Sequence, residues 1–212
     1  MLRRDGLRAL GLGVVLAAGA AWATLARAEV LAPDAFVRQV SNDVIDAVKA
    51  DKAIQAGDVG RIRTLVDSKV MPHVNFQRMT ASSVGPQWRS ATPDQQKRML
   101  EEFKTLMVNT YSGALTQVKD QAINVKPLRG AADQAEQVVR TEVRGKGDPI
   151  QLDYRIEKAG DGWKIYDVNV GGFWLVEAYK GQFAKDLSAG GLDALIATLS
   201  AKNKSLAAPT KN

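Results

Sequence analysis

The sequence predicts an α+β protein in which helices come first and an antiparallel sheet follows. Two changes of period carry that reading. Through the first half apolar residues recur at helical spacing, as in Phe36, Val40, Val44 and Val48. In the second half the period falls to two: Ile150, Leu152, Tyr154 and Ile156 alternate with Gln151, Asp153, Arg155 and Glu157. Runs of helix followed by runs of strand, rather than alternation, point to helices packed on one face of an antiparallel sheet.

Ahead of the first helix lies an export signal. Arg3, Arg4 and Arg8 form a basic start, residues 9–25 are apolar, and Ala26-Arg27-Ala28 has the small-x-small form of a cleavage site. Cleavage after Ala28 removes residues 1–28 and leaves 184 of the 212 residues, starting at Glu29. The alternative, an uncleaved anchor, fits less well with a run so rich in Ala and Gly that ends in a good cleavage site. Arg3-Arg4 loosely resembles a twin-arginine signal, but the general secretory route is preferred because no cofactor motif calls for folded export. The expected layout is a leader at 1–28, one domain at 29–202 and a disordered polar tail at 203–212. Half of the formal charge of +6 sits on the leader. The basic isoelectric point is therefore weak support for nucleic-acid binding.

The helices follow in order. The first starts after Pro33-Asp34. A second carries Ile62, Leu65, Val66 and Val70 and ends near Met71-Pro72. Asn75 is placed to cap a short third, with Phe76 and Met79. Thr92-Pro93-Asp94-Gln95 has an N-cap threonine, a proline in the first turn and a glutamine three residues on, the signature of a capping box. The long helix it opens presents Leu100, Phe103, Leu106, Met107 and Thr110 on one face and runs to about Leu115.

Four strands are expected at 123–128, 137–144, 149–158 and 163–170, joined by glycine-containing turns. Gly171-Gly172 ends the last of them. Phe173-Trp174-Leu175-Val176 is read as opening a helix that carries Tyr179 and Phe183. Two closing helices, at 175–187 and 192–199, are separated by Gly190-Gly191.

Catalytic chemistry finds little support. There is no cysteine, which excludes disulfides, thiol catalysis and cysteine metal sites. His73 is the single histidine, and no G-x-S-x-G turn accompanies it. Glu101-Glu102 reads as a solvated helix face, and Asp161 and Asp167 span a hairpin. Gly145-Lys146-Gly147-Asp148 is a turn with no helix behind it to hold a phosphate. Lys and Arg are interspersed with acids, so no nucleic-acid stripe is visible. No metal and no cofactor is expected.

Asp153-Tyr154-Arg155, Gly162-Trp163-Lys164-Ile165-Tyr166-Asp167-Val168, Tyr179-Lys180 with Phe183, and Gly190-Gly191-Leu192 resemble the MlaC, or toluene-tolerance, family of periplasmic phospholipid-binding proteins. The likeness extends upstream through Trp88-Arg89, Thr92-Pro93-Asp94-Gln95-Gln96 and residues 103–111, and so covers roughly 31–203. It implies a curved four-stranded antiparallel sheet, related to nuclear transport factor 2, with a helical subdomain enclosing an apolar cavity. It also implies a monomeric, non-enzymatic periplasmic carrier that moves glycerophospholipid between outer and inner membrane and maintains outer-membrane asymmetry. The implied partners are an inner-membrane ABC transporter with its substrate-binding ring and an outer-membrane lipoprotein–porin complex.

The side chains expected to line the cavity are Phe76, Met79, Leu100, Phe103, Leu106, Met107 and Tyr111 from the helices, and Val139, Val143, Ile150, Leu152, Tyr154, Trp163, Ile165, Phe173, Trp174 and Tyr179 from the second half. Strand alternation sends Leu152 inward and Gln151 and Asp153 away. The alternative is an isomerase or hydrolase of a hydrophobic substrate on a related fold, which a buried, pKa-shifted carboxylate inside the cavity would favour. A module with a filled core and no ligand is a weaker third reading.

Overall fold

The computed structural model describes residues 31–129, 134–160 and 162–207. The leader and its cleavage site lie outside the described residues.

Helix α1 (Pro33–Ala50) has proline in its first turn and buries Phe36, Val37, Val40 and Val48. Two aspartates then start two short helices. Asp51 accepts from the N–H groups of Ala53 and Ile54 at the head of α2 (Lys52–Gln55), and Asp58 accepts from Arg61 N at the head of α3 (Val59–Leu65). Helix α3 does not stop where its α-helical bonding ends. It widens into a π-helical turn, Val66–Val70, and then tightens into a 3-10 turn, Met71–His73. Asn75 caps α4 (Phe76–Val84) through Arg78 N at 3.0 Å, as its position in the sequence suggests. A 3-10 turn, Gly85–Ser90, leads to α5 (Pro93–Thr116), which opens on the expected capping box between Thr92 and Gln95.

Among the described residues the sheet has six strands where four are expected: β1 (Ala122–Val125), β2 (Glu136–Val139), β3 (Thr141–Arg144), β4 (Ile150–Ala159), β5 (Gly162–Val170) and β6 (Phe173–Trp174). All pair antiparallel in the order β1-β3-β4-β5-β6, with β2 also on β4. The count differs for two physical reasons. The strand expected at 137–144 breaks at Arg140, so β2 lies along residues 154–157 of β4 while β3 meets only Ile150 and Gln151 and swings out to pair β1. At that break the N–H of Thr141 bonds to the Asp153 carboxylate at 2.9 Å instead of to backbone, and its hydroxyl donates to the Leu152 carbonyl.

The second reason is that Phe173 and Trp174 form a strand and not the start of a helix. Gly171 and Gly172, both at positive φ, turn the chain back so that Phe173 pairs with Val170 and Trp174 with Asn169. Helix α6 (Leu175–Ala207) starts only after that pairing, with Val176 N donating to Asp167 Oδ1 at 3.0 Å. It is two helical segments across a kink at Gly190 and Gly191, as expected, and Gly191 sits at φ +68°. Of the tail expected at 203–212, residues 208–212 lie outside the described residues. The helix continues to Ala207, and the buried Asn203 amide donates to the carbonyl and carboxylate of Glu102 at 2.9 and 2.7 Å.

A bulge in β5 decides which side chains share a face. Arg155 pairs with Asp167 and Ile156 with Ile165, which leaves Tyr166 without a cross-strand partner. Trp163 and Ile165 therefore share the helix-covered face with Val168 and Val170, although strict alternation would separate them. The opposite face of β4 is drier than its polar sequence suggests. Asp153 is only 4% exposed and accepts from Thr141 N and from Gln151 Nε2 at 2.5 Å.

Three apolar clusters result. One joins α4, α5 and α6 around Phe103, whose ring meets Phe76, Tyr179 and Phe183 at centroid distances of 5.5, 4.9 and 5.3 Å. A second packs α1 on the sheet through Phe36, Val37, Val139, Ile156, Trp163 and Ile165. The third ties α1, α2 and α3 to α5 through Val48, Ile54, Ile62, Leu65 and Val108.

Candidate functional site

Where the three clusters meet they do not close. A cavity of about 370 Å³ remains, built almost wholly from hydrocarbon. Its floor is the sheet: Leu152 and Tyr154 of β4, Val168 and Val170 of β5, and Leu175 just beyond β6. One wall is a stripe of α5 comprising Lys104, Met107, Val108, Tyr111 and Leu115, with Ser112 and Ala114 at its margin. That stripe has the i, i+3, i+4, i+7 spacing of one helix face. The facing wall runs along the chain from Val44 of α1, through Ile62 and Leu65 of α3, to Val66, Val70 and Met71 in the π and 3-10 turns. Val74, Phe76 and Met79 complete it. Part of that wall is π-helical, with the wider i→i+5 bonding that is rare outside single turns and frequent at functional sites.

The electrostatics are sparse. Among the described residues no Asp or Glu lines the cavity, and Lys104 is its one charged wall residue. The Lys104 stem lies along the wall while its ammonium reaches Asp67 Oδ1 at 2.8 Å, with the two side chains 32% and 48% exposed. The Tyr154 hydroxyl meets Ser41 Oγ at 3.4 Å, and burial pushes its pKa up to about 12. It is therefore neutral at any physiological pH. His73 lies outside the cavity, edge-on to Phe36 at 5.9 Å, with its pKa pushed down by burial and by Lys164.

A buried carboxylate with a raised pKa does exist, but it is not in the cavity. Asp167 is fully buried and its pKa is raised by that burial, opposed by bonds from Val176 N, Val168 N and Arg155. Those bonds tie β5 to β4 and to the start of α6, which is the work of a junction. Among the described residues no group of His, Cys, Asp and Glu side chains is arranged to hold a metal ion. Nor is any helix there long and apolar enough to cross a membrane.

The seventeen side chains expected at the cavity divide sharply. Phe76, Met79, Met107, Tyr111, Leu152 and Tyr154 line it. Phe103, Leu106 and Tyr179 are sealed in the α4–α5–α6 cluster, and Leu100 packs against that cluster. Val139, Trp163 and Ile165 belong to the α1–sheet cluster, with Trp163 Nε1 donating to the Leu31 carbonyl at 2.9 Å. Val143 pairs with Ile123 and Ile150 at the far end of the sheet. Ile150 itself is 56% exposed. Phe173 is 73% exposed and Trp174 lies beneath the Arg155 guanidinium at 4.0 Å, so neither closes the cavity.

Phe173 does keep one relation to the cavity. It pairs with Val170, which pairs with Leu152, so the three stand in a row across one sheet face and lead outward from the cavity floor.

Sequence reasoning missed the wall from Val44 through Val74. Its signal was present in the 62, 65, 66, 70 spacing, but a helical stripe does not say whether it meets protein or an opening. Val168 and Val170 were missed because the bulge at Tyr166 is silent in the pattern.

Comparison with known proteins adds the following. The family model described as MlaC protein matches residues 38–201. The toluene tolerance protein ttg2D of Pseudomonas putida is 26% identical over 163 residues, spanning 76% of this chain and 75% of that protein. The intermembrane phospholipid transport system binding protein MlaC of Haemophilus influenzae is 23% identical over 168 residues, spanning 77% and 78%. A solved structure of the phospholipid-binding protein from Ralstonia solanacearum, in complex with a phospholipid, superposes with a TM-score of 0.82 at 41% identity. That match covers 84% of this chain and all of the other.

Proposed function

The chain belongs to the MlaC family, and from that premise we propose that it is a phospholipid carrier that holds acyl chains in the cavity between sheet and α5. Exported to the periplasm and freed of residues 1–28, it shuttles glycerophospholipid between the outer and inner membranes and so maintains outer-membrane asymmetry. Its partners on this reading are an inner-membrane ABC transporter with its substrate-binding ring and an outer-membrane lipoprotein–porin complex. No covalent step is assigned to it.

The observation that carries the reading is an apolar cavity without a carboxylate, in a chain that is 41% identical to a protein solved with a phospholipid bound. The energetics explain the need for such a cavity. At about 0.8 kcal/mol per methylene, two acyl chains of about thirty methylenes resist exposure to water by roughly 20 kcal/mol or more. A dry wall of Val, Leu, Ile and Met cancels most of that cost, and the polar head stays at the mouth. The volume of about 370 Å³ is at the lower end for ligand sites.

Protein purified without detergent is expected to carry close to one phospholipid per chain, read by mass spectrometry after denaturing extraction. A folded protein that repeatedly yields no lipid would favour the filled-core or enzymatic readings.

A further inference from the structure

We propose that Lys104 is the cavity's contact for the lipid phosphate, held ready by Asp67. The inference rests on the carrier reading and goes beyond it, because that reading needs only tails. Lys104 is the one charged side chain on the cavity wall among the described residues, and its ammonium is paired with Asp67. It is not buried. The stem follows the wall and the head stands at the water boundary, which is where the phosphate of an amphiphile must lie once its tails fill the space.

Asp67 is the only hydrogen-bond partner of the Lys104 ammonium among the described residues, and it takes one of three donors. Two N–H groups remain for a phosphate oxygen without breaking the pair. Asp67 lies in the π-helical turn and Lys104 on α5, so the pair spans the two walls of the cavity. The carboxylate orients the ammonium and also opposes an incoming anion. Removing it should strengthen phosphate binding.

The test compares phosphatidic acid with diacylglycerol of the same tails, using purified, lipid-stripped protein and its Lys104→Met, Lys104→Arg and Asp67→Asn variants. Methionine keeps an unbranched apolar stem, so the wall stays filled. Lys104→Met is expected to weaken phosphatidic acid by about tenfold and to change diacylglycerol by less than about twofold, the difference being one charge-assisted hydrogen bond. Lys104→Arg should restore the phosphate preference, and Asp67→Asn should raise it.

Equal loss of both lipids in Lys104→Met would show that the stem matters only as packing, and no loss of either would leave the ammonium without a role. Either result overturns the proposal while the carrier reading stands. Wild-type protein that binds neither lipid would overturn both. Inorganic phosphate should compete poorly, since it has no tails to anchor it. If it binds through Lys104 as tightly as phosphatidic acid does, the site serves free phosphate and the headgroup assignment fails.

Discussion

A carboxylate at position 152 would stand on the cavity floor beside Val170 and Tyr154, in a lining that is almost wholly hydrocarbon. Leu152→Asp should therefore cost several kcal/mol in lipid retention unless the new group protonates. The right comparison is Ile150→Asp, two residues away on the same strand. Ile150 is more than half exposed, so its replacement stays hydrated and should change stability by no more than about 0.5 kcal/mol. Gln151 is unsuitable as a control because its amide supports the buried Asp153, and a second carboxylate there would repel the first. Mass spectrometry of the bound lipid, with circular dichroism to confirm folding, separates the two variants. Loss of lipid in Ile150→Asp and retention in Leu152→Asp would mean that the tails lie at the Ile150 end of β4 and not over Leu152, because the two side chains share one face of the strand. Single residues were the least legible scale. Leu152 was readable from alternation, whereas Phe173 looked like lining because it is large and apolar, and only the tight turn at Gly171-Gly172 shows that it stands outside.

Among the elements, α5 shows why a correct helix can still mislead. Its start, its cap and its length were all legible, since Thr92, Pro93 and Gln95 state them locally. Its faces were not. Phe103 and Leu106 enter the core with α6 while Lys104, Met107 and Tyr111 enter the cavity, and a helix buried on two sides carries one continuous apolar pattern. The β1–β3 pair makes a separate prediction about acid. Glu142 accepts from Lys126 and Arg144, which hold its pKa down at about 2 against 4.5 for the free group. A lowered carboxylate pKa contributes stability that is present above about pH 4.5 and lost as pH falls toward 2. Glu142→Gln should flatten that part of the stability curve, measured as denaturation midpoint against pH, and added salt should flatten the wild-type curve in the same window. At the α6 kink, Gly191→Ala forces a side chain into a backbone conformation, φ 68° and ψ −157°, that essentially only glycine adopts, and should cost about 1–3 kcal/mol, seen as a lower urea midpoint at unchanged slope.

Taken as a whole molecule, the protein has three clusters surrounding a space that none of them fills, so ligand and fold are thermodynamically linked. Lipid bound only by the folded form adds about 2.7 kcal/mol when its free concentration is a hundred times the dissociation constant. Stripped protein should accordingly melt lower than the protein as purified and recover when lipid is returned. Amide exchange should quicken first in residues 59–73, the wall without regular α-helical bonding throughout. Identical melting curves before and after stripping would count against a filled cavity. The order of helices then sheet was legible at this scale because a change of period needs no tertiary knowledge. The strand count was not, because the break at Arg140 depends on Asp153, which is far away in sequence. One feature of the sheet bears on how such a protein behaves in company. Among the described residues its edge strands are short: β6 has two residues before the chain turns into α6, β1 and β2 have four each, and the longer outer edge of β5 is met at Ile165 by Val74 and by Asn75 N. Unpaired strand edges recruit other edges, and long ones seed fibres. A protein that exposes Phe173 and Ile150 near the end of its sheet has every reason to stick to copies of itself. Short edge strands beside those side chains offer neighbouring molecules little backbone to pair with, so the protein is expected to resist polymerising as its concentration rises, which light scattering would check.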